Sequence, residues 1–178
     1  NITLGYSTNL SNLSYKKIDL MSLWSKFENI DIIASCDGWG EAVEYSRTGF
    51  ERKTFLSNIQ KVHDHVQAIN CVINIYSVWT LPYIEKICDK LRVRAVYAPC
   101  FLPEFLNPQH LNREDKEELR ELYKPYARLT KIFDDYIDQD KPSLGKEMCD
   151  YNLMLDSYRG TNFFDVFPQY RKYYVSTC

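Results

Sequence analysis

No apolar run in this sequence approaches the roughly 20 residues that span a bilayer, so no membrane-spanning helix is written into it. Basic charge is not in excess either. The 22 Lys and Arg stand against 24 Asp and Glu, a formal net charge of −2 that offers no attractive field to nucleic-acid phosphates. The six cysteines, Cys36, Cys71, Cys88, Cys100, Cys149 and Cys178, include no C-x-x-C and no close Cys/His pair, which removes the usual zinc and iron–sulfur spacings. Several lie beside apolar positions, which favours buried, reduced thiols in a cytoplasmic protein over a disulfide framework. There is no G-x-x-x-x-G-K-S/T phosphate loop and no G-x-S-x-G nucleophile elbow, and neither Ser35 nor Cys36 has a local histidine. Gly38-Trp39-Gly40 lacks the third glycine of a dinucleotide fingerprint. Residues 1–6 show neither an initiator Met nor a charged and then apolar leader, which points to processing or to a start inside a longer protein. Without a secretory signal, the Asn-x-Ser/Thr triplets at Asn1, Asn9 and Asn12 read as chance.

What remains is a globular composition. A chain of 178 residues is long enough for one domain, which buries roughly 70% of its unfolded surface. Hydrophobic residues make up 45% and charged residues 26%, which argues against general disorder. The 14 tyrosines are numerous, and with no basic field they read as amphipathic packing rather than as base-stacking platforms.

Strand and helix patterns alternate through the first hundred residues. Strands are expected over 2–7, 31–36, 71–78 and 93–98, the last stopped by Pro99. Helices are expected over 14–27, 41–47, 53–65 and 81–91. Four successive strand–helix units imply parallel pairing with right-handed crossovers, either as half of a (β/α) barrel or as an open sheet. After Pro99 the character changes. The apolar, Pro-marked stretch 101–108 suits a covering loop, Asn112 suits the N-cap of a helix over 113–123, and further helices are expected over 129–137 and 142–158. The expected organisation is a (β/α)4 half-barrel over 1–100, with the loop and helical extension of 101–178 packed on it.

Chemistry is sought at strand ends, because in parallel α/β folds ligands sit at the carboxyl ends of strands. Ile32, Ile33 and Ala34 suit a strand covered on both faces, and they give way to Ser35-Cys36-Asp37-Gly38. Ser35 and Asp37 can accept hydrogen bonds from ribose hydroxyls or an amino group, or can equally cap the following turn. Arg47 suits a clamp on a carboxylate ligand, or a surface pair with Glu44 one helical turn away. Asn74, between Ile73 and Ile75, reads as a mid-strand polar residue that must face something polar, such as a barrel interior. Thr8 and Asn9 end the first strand, facing the same side or forming a turn. His63-Asp64-His65 points in different directions on a helix and does not read as a metal site.

Ser35-Cys36-Asp37-Gly38, Glu44-Tyr45-Ser46-Arg47 with Gly49, and Asn58-Ile59 together resemble the S-x-D-G, E-Y-x-R-x-G and N-I pattern of radical S-adenosylmethionine proteins, in particular those with a twitch-type auxiliary domain. Thr8-Asn9-Leu10 and the distal Asp156-x-x-Arg159-Gly160 with Phe164-Asp165-Val166-Phe167-Pro168 are similar to flanking segments of that family. The resemblance implies a partial TIM-like barrel of parallel (β/α) units, with this chain as its later half and a helical carboxyl-terminal extension. It implies S-adenosylmethionine binding, with Ser35 at the ribose or amino-acid part, Arg47 near the carboxylate or stabilising the wall and Asn74 on the barrel interior, and Asp37 beside Ser35 joins the expected cofactor-binding residues. It also implies a [4Fe-4S] cluster, yet the C-x3-C-x2-C loop that ligates it is absent from this sequence. The expected partner is then the upstream half of the same protein, or another chain that closes the barrel, and the chain alone is expected to be inactive. The alternative expectation is a non-catalytic α/β binding or scaffold module.

Overall fold

Along residues 29–35, Ile30, Ile32 and Ala34 are buried while Asp31 and Ile33 between them are exposed, and this alternation shows which side of the central sheet is covered. The computed structural model describes residues 2–175. The chain runs through β1 (Thr3–Thr8), a small hairpin of β2 (Ser14–Tyr15) and β3 (Ile18–Asp19), α1 (Leu20–Trp24), β4 (Asn29–Ser35), α2 (Glu41–Ser46), α3 (Arg52–Lys61), β5 (Val66–Ile73), α4 (Leu81–Leu91) and β6 (Arg94–Pro99). The helical part follows as α5 (Arg113–Tyr123), α6 (Ala127–Ile132) continued by a π-helical turn over Phe133–Ile137, α7 (Gly145–Arg159), α8 (Phe163–Val166) and α9 (Arg171–Val175). Among the described residues no helix is long and apolar enough to cross a membrane.

The chain is therefore α/β, with a four-stranded sheet in the order β1-β4-β5-β6 and every pair parallel. Ile32, Ala34, Ile69, Cys71 and Ile73 point to one face and are buried. The other face is open. It carries Ser7 and Asp31, exposed Ile33, half-buried Ser35 and Asn70, and exposed Arg94 and Val96. The expectation that this strand is covered on both faces is thus corrected: Ile33 is 40% exposed, although parallel sheets are ordinarily covered on both sides.

Two expected elements differ from those observed. In place of one helix over 14–27 there is the β2–β3 hairpin followed by the short α1. Lys16 adopts φ 56 in the tight turn, and Asp19 accepts hydrogen bonds from the Met21 and Ser22 amides, which starts the helix only at Leu20. The strand expected over 71–78 lies earlier, at Val66–Ile73. The apolar run that follows is a buried turn, and side chains rather than a neighbouring strand satisfy its backbone. The Tyr170 hydroxyl donates to the Ile75 carbonyl at 2.7 Å, the Tyr123 hydroxyl to Val78 at 2.6 Å and the Ser77 hydroxyl to Val72 at 2.7 Å.

These bonds show how the carboxyl-terminal helices dock. Phe163 and Phe167 pack against Tyr45 of α2 and against Tyr76, and Phe163 stacks on Tyr170 with ring centroids 5.8 Å apart. Buried residues form one continuous core from the sheet into this aromatic cluster. Gly145 opens α7 because a Cβ there would overlap the Tyr173 ring. Gly160 closes α7 at φ 65.

Candidate functional site

The carboxyl ends of the strands are built around Asp37. The β4–β5 pairing ends at Ser35 opposite Asn70, and the Cys36 amide donates once more, to the Asn70 carbonyl at 2.9 Å. Beyond that point β5 still pairs with β6 but no longer with β4, and Asp37 Oδ1 accepts from the Val72 amide at 2.8 Å. Asp37 Oδ2 accepts from Arg47 Nε at 2.7 Å and from Nη2 at 2.6 Å. Next, Gly38 turns the chain at φ 99, where a Cβ would come within 2.7 Å of Thr80 Oγ1 and 3.2 Å of Ser77 Cα. The Trp39 amide then donates to Thr80 Oγ1 at 2.9 Å.

The helix after this turn is a joint in which each motif residue holds something different. Arg47 ends α2 with non-helical backbone, φ −121 and ψ 86, so its side chain reaches Asp37 and not Glu44. Glu44 pairs instead with Arg52 at 3.0 Å. The Tyr45 hydroxyl lies 3.1 Å from Asp156 Oδ1 and 3.2 Å from Asn152 Oδ1, and burial followed by the Asp156 carboxylate raises its phenol pKa. Asp156 also accepts from Thr161 Oγ1 and from the Phe163 amide, both at 2.6 Å, and Arg159 donates to the Tyr45 carbonyl at 3.3 Å. The segment at 44–47 and the one at 156–163 therefore meet in space.

Asp37 and Arg47 come together among the residues expected at a site, but their polar atoms are largely taken up by each other and by β5. Asn74 does not face a barrel interior. It lies just past the end of β5, and its Oδ1 accepts from the Tyr76 and Ser77 amides at 2.9 and 3.1 Å, an Asx turn that starts the buried loop. Thr8 and Asn9 likewise accept bonds from the amides two residues ahead. Ser35 alone of the four expected residues sits on the open face at the strand end. Beside it is Asn70, in register, followed by Val96 on β6. Among the described residues, the side chains of Ser35, Asn70, Asp31 and Arg94 make no hydrogen bond or ion pair, so the open face keeps unused polar groups while the covered face has none to offer. Sequence reasoning missed Asn70, whose signal is the period-2 alternation through Ala68-Ile69-Asn70-Cys71-Val72-Ile73.

The larger cavities lie elsewhere. One of 440 Å³ is lined by Asn112, Lys116, Asp138 and Ser143, and another of 590 Å³ by Glu114, Gly145, Lys172 and Tyr173. In the first, buried Lys116 donates from Nζ to the Gln109 carbonyl at 2.7 Å and the Gln139 carbonyl at 2.5 Å, clamping two chain segments together. That burial lowers its pKa.

A metal cluster does not fit the residues described. Cys36, Cys71, Cys88, Cys100 and Cys149 are free and buried, and burial pushes every thiol up, Cys149 to about 11 and Cys88 to about 12. Among the described residues no group of three His, Cys, Asp or Glu side chains could hold a metal ion, and His63-Asp64-His65 forms a short 3-10 turn. Cys178 lies outside the described residues. Comparison with protein-family models, with curated proteins and with solved structures gave no match to this chain.

Proposed function

We propose that this chain is the carboxyl-terminal part of a radical S-adenosylmethionine enzyme. In this reading it is half of a partial TIM-like barrel, inactive alone, that forms part of the wall of an S-adenosylmethionine site. The observation that carries this reading is the meeting of the two segments on which the resemblance rests. Tyr45 is held by Asp156, and Arg159 by the Tyr45 carbonyl, so matches over a hundred residues apart in sequence are parts of one joint. The strand order agrees with it. Consecutive parallel strands lie side by side, and the right-handed crossovers that such connections ordinarily take would put their helices on one face and leave the other to face the inside of a ring. Buried reduced thiols fit a cytoplasmic setting.

In this role Ser35 and Asn70 offer hydrogen bonds to the ribose or amino-acid part of the ligand. Asp37 and Arg47 hold that lip in place, and Arg47 Nη1, which takes no part in the pair, is left for a carboxylate. The [4Fe-4S] cluster has no ligands among the residues described, so no redox step is assigned to this chain. Two or three such contacts supply roughly 3 to 6 kcal/mol before ordering costs, while even millimolar binding needs about 4. Titration calorimetry with S-adenosylmethionine is therefore expected to find no micromolar affinity in the isolated chain, and a micromolar Kd would contradict the reading as half of a site. A non-catalytic binding or scaffold module is the second reading, favoured by the uncovered sheet face. Formation of 5′-deoxyadenosine by the assembled, cluster-loaded protein separates the two.

A further inference from the structure

Among the described residues five charged side chains are buried: Asp37, Glu85, Asp115, Lys116 and Asp156. Asp37, Glu85 and Asp115 each meet a cation, from Arg47, Arg128 and Lys172, and Asp156 accepts from Tyr45, Thr161 and the Phe163 amide. Lys116 differs from the other four. It is 5% exposed, yet its Nζ donates only to the Gln109 and Gln139 carbonyls, and among the described residues no carboxylate pairs with it. A buried ammonium is costly unless an anion compensates it, and two carbonyl dipoles supply only part of that compensation. The carboxylates whose fields reach it are Asp138, which Arg113 and Arg120 already hold, and the exposed Asp140.

Lys116 lines the cavity of 440 Å³ between the start of α5 and residues 138–143, and hydrogen-bond donors are left over around it. Asn112 caps α5 through Oδ1, which leaves its Nδ2. Arg113 spends Nε on Glu117 and Nη1 on Asp138, which leaves Nη2. Lys116 keeps one N–H of three, and Ser143, whose Oγ accepts from the Gly145 amide at 3.4 Å, keeps its hydroxyl hydrogen. Lys141 makes no hydrogen bond or ion pair among the described residues. The far wall is fixed in advance, because Lys116 holds the Gln139 carbonyl and His110 Nδ1 donates to the Pro142 carbonyl at 2.6 Å. The neighbouring cavity of 590 Å³ lacks this surplus: its Lys146 pairs with Asp150, and its Lys172 with Glu114 and Asp115.

We propose that the cavity beside Lys116 binds the phosphate monoester of a small hydroxylated molecule, whose dianion is the missing counter-charge. A phosphate group presents three strong acceptor oxygens, enough to share among the ammonium, guanidinium, amide and hydroxyl donors of five residues. A carboxylate presents two oxygens in one plane and leaves donors unmet. The volume falls in the range of small-molecule sites and leaves room beyond a phosphate group for an organic part. Asp140 and the Gln139 side chain, on the same lining, accept from hydroxyl groups of that part. The cavity shares no lining residue with the open sheet face, so the two sites stand or fall separately.

Titration calorimetry of the purified chain with glycerol 3-phosphate, set against inorganic phosphate, sulfate and glycerol, tests this. Glycerol 3-phosphate is expected to bind with a Kd of about 0.1 mM, inorganic phosphate about tenfold more weakly, and glycerol not at all. Arg113→Gln and Lys141→Gln, both at exposed positions, are each expected to weaken glycerol 3-phosphate about tenfold with unchanged circular dichroism, as for loss of a charge-assisted hydrogen bond. Lys116→Met is expected to abolish binding, and the two exposed variants decide the matter where that one fails to fold. Lys146→Gln, on the neighbouring cavity, is expected to leave the Kd unchanged. Absence of binding at about 10 mM overturns the proposal. Full affinity in Arg113→Gln and Lys141→Gln overturns it too, as does an equal loss in Lys146→Gln. Inorganic phosphate binding as tightly as glycerol 3-phosphate overturns the ligand class in favour of free phosphate, and sulfate binding equally overturns it in favour of an unselective anion site.

Discussion

Replacing Asp37 with Ala is expected to lower the unfolding free energy by about 3 kcal/mol, the low end for breaking a buried ion pair. Asp37 is 8% exposed, and three donors converge on its two oxygens: the Val72 amide, Arg47 Nε and Arg47 Nη2. The substitution leaves the Val72 amide without an acceptor at a point where the ladder with β4 has ended, and strands a guanidinium whose side chain is only 32% exposed. Arg47→Ala removes the partner that can reach water and is expected to cost less, about 1 to 2 kcal/mol. The double variant is expected to be little worse than Asp37→Ala alone, because the pair fails as a unit. Ser35→Ala, on the open face, is expected to stay within about 0.5 kcal/mol. Urea unfolding of the four variants measures this. A cost below about 1 kcal/mol for Asp37→Ala means that the carboxylate is not structural and is free for a ligand instead.

Cooperative unfolding near pH 10 is the second large effect expected. Burial raises the thiol pKa of all five described cysteines and the phenol pKa of Tyr45, Tyr76, Tyr97, Tyr123, Tyr136, Tyr170 and Tyr173. In the unfolded chain these groups titrate at their ordinary values, about 8.5 for thiols and about 10 for phenols. The folded protein therefore binds more protons above pH 8.5. The stabilisation is complete below the unfolded values and is lost as pH rises toward the folded ones, at about 1.4 kcal/mol per group per pH unit. A few thiols acting together exceed an ordinary total stability of about 5 to 15 kcal/mol within one or two units. The share of tyrosinate absorbance that belongs to these seven phenols is expected to appear together with the loss of the folded dichroism. Full tyrosinate absorbance, that of all 14 tyrosines, while the dichroism of the fold persists to pH 11 would contradict the burial of these side chains.

Sequence patterns were most legible where one physical cause acted alone. The amphipathic α4 lies at 81–91 as its periodicity predicts, and Asn112 caps α5 through Asp115. The four parallel strands also follow from alternation and crossover rules, although β5 lies several residues early. That displacement has a clear cause. Residues 73–78 are as apolar as a strand, but they are buried by Tyr170 and Tyr123 from helices some 45 to 95 residues away, and no local pattern reports such distant donors. The same distance hides the site. Ser35 follows from its place at a strand end, whereas the partners of Asp37, Arg47 and Asn74 are set by where strands stop pairing, and Asn70 joins Ser35 only once the register is known. The hairpin at 14–19 escaped notice because its apolar residues stay exposed, a pattern that imitates the face of a helix.

Chemical-shift mapping with millimolar S-adenosylmethionine on the isotopically labelled chain tests the central claim most directly, namely that the open face ends in half of a ligand site. The account predicts that the largest shifts fall on Ser35 and Asn70, with Arg47 following, and that they weaken in Ser35→Ala without loss of fold. Shifts centred on the cavity around Asn112 and Ser143, or no shifts at all, would contradict it.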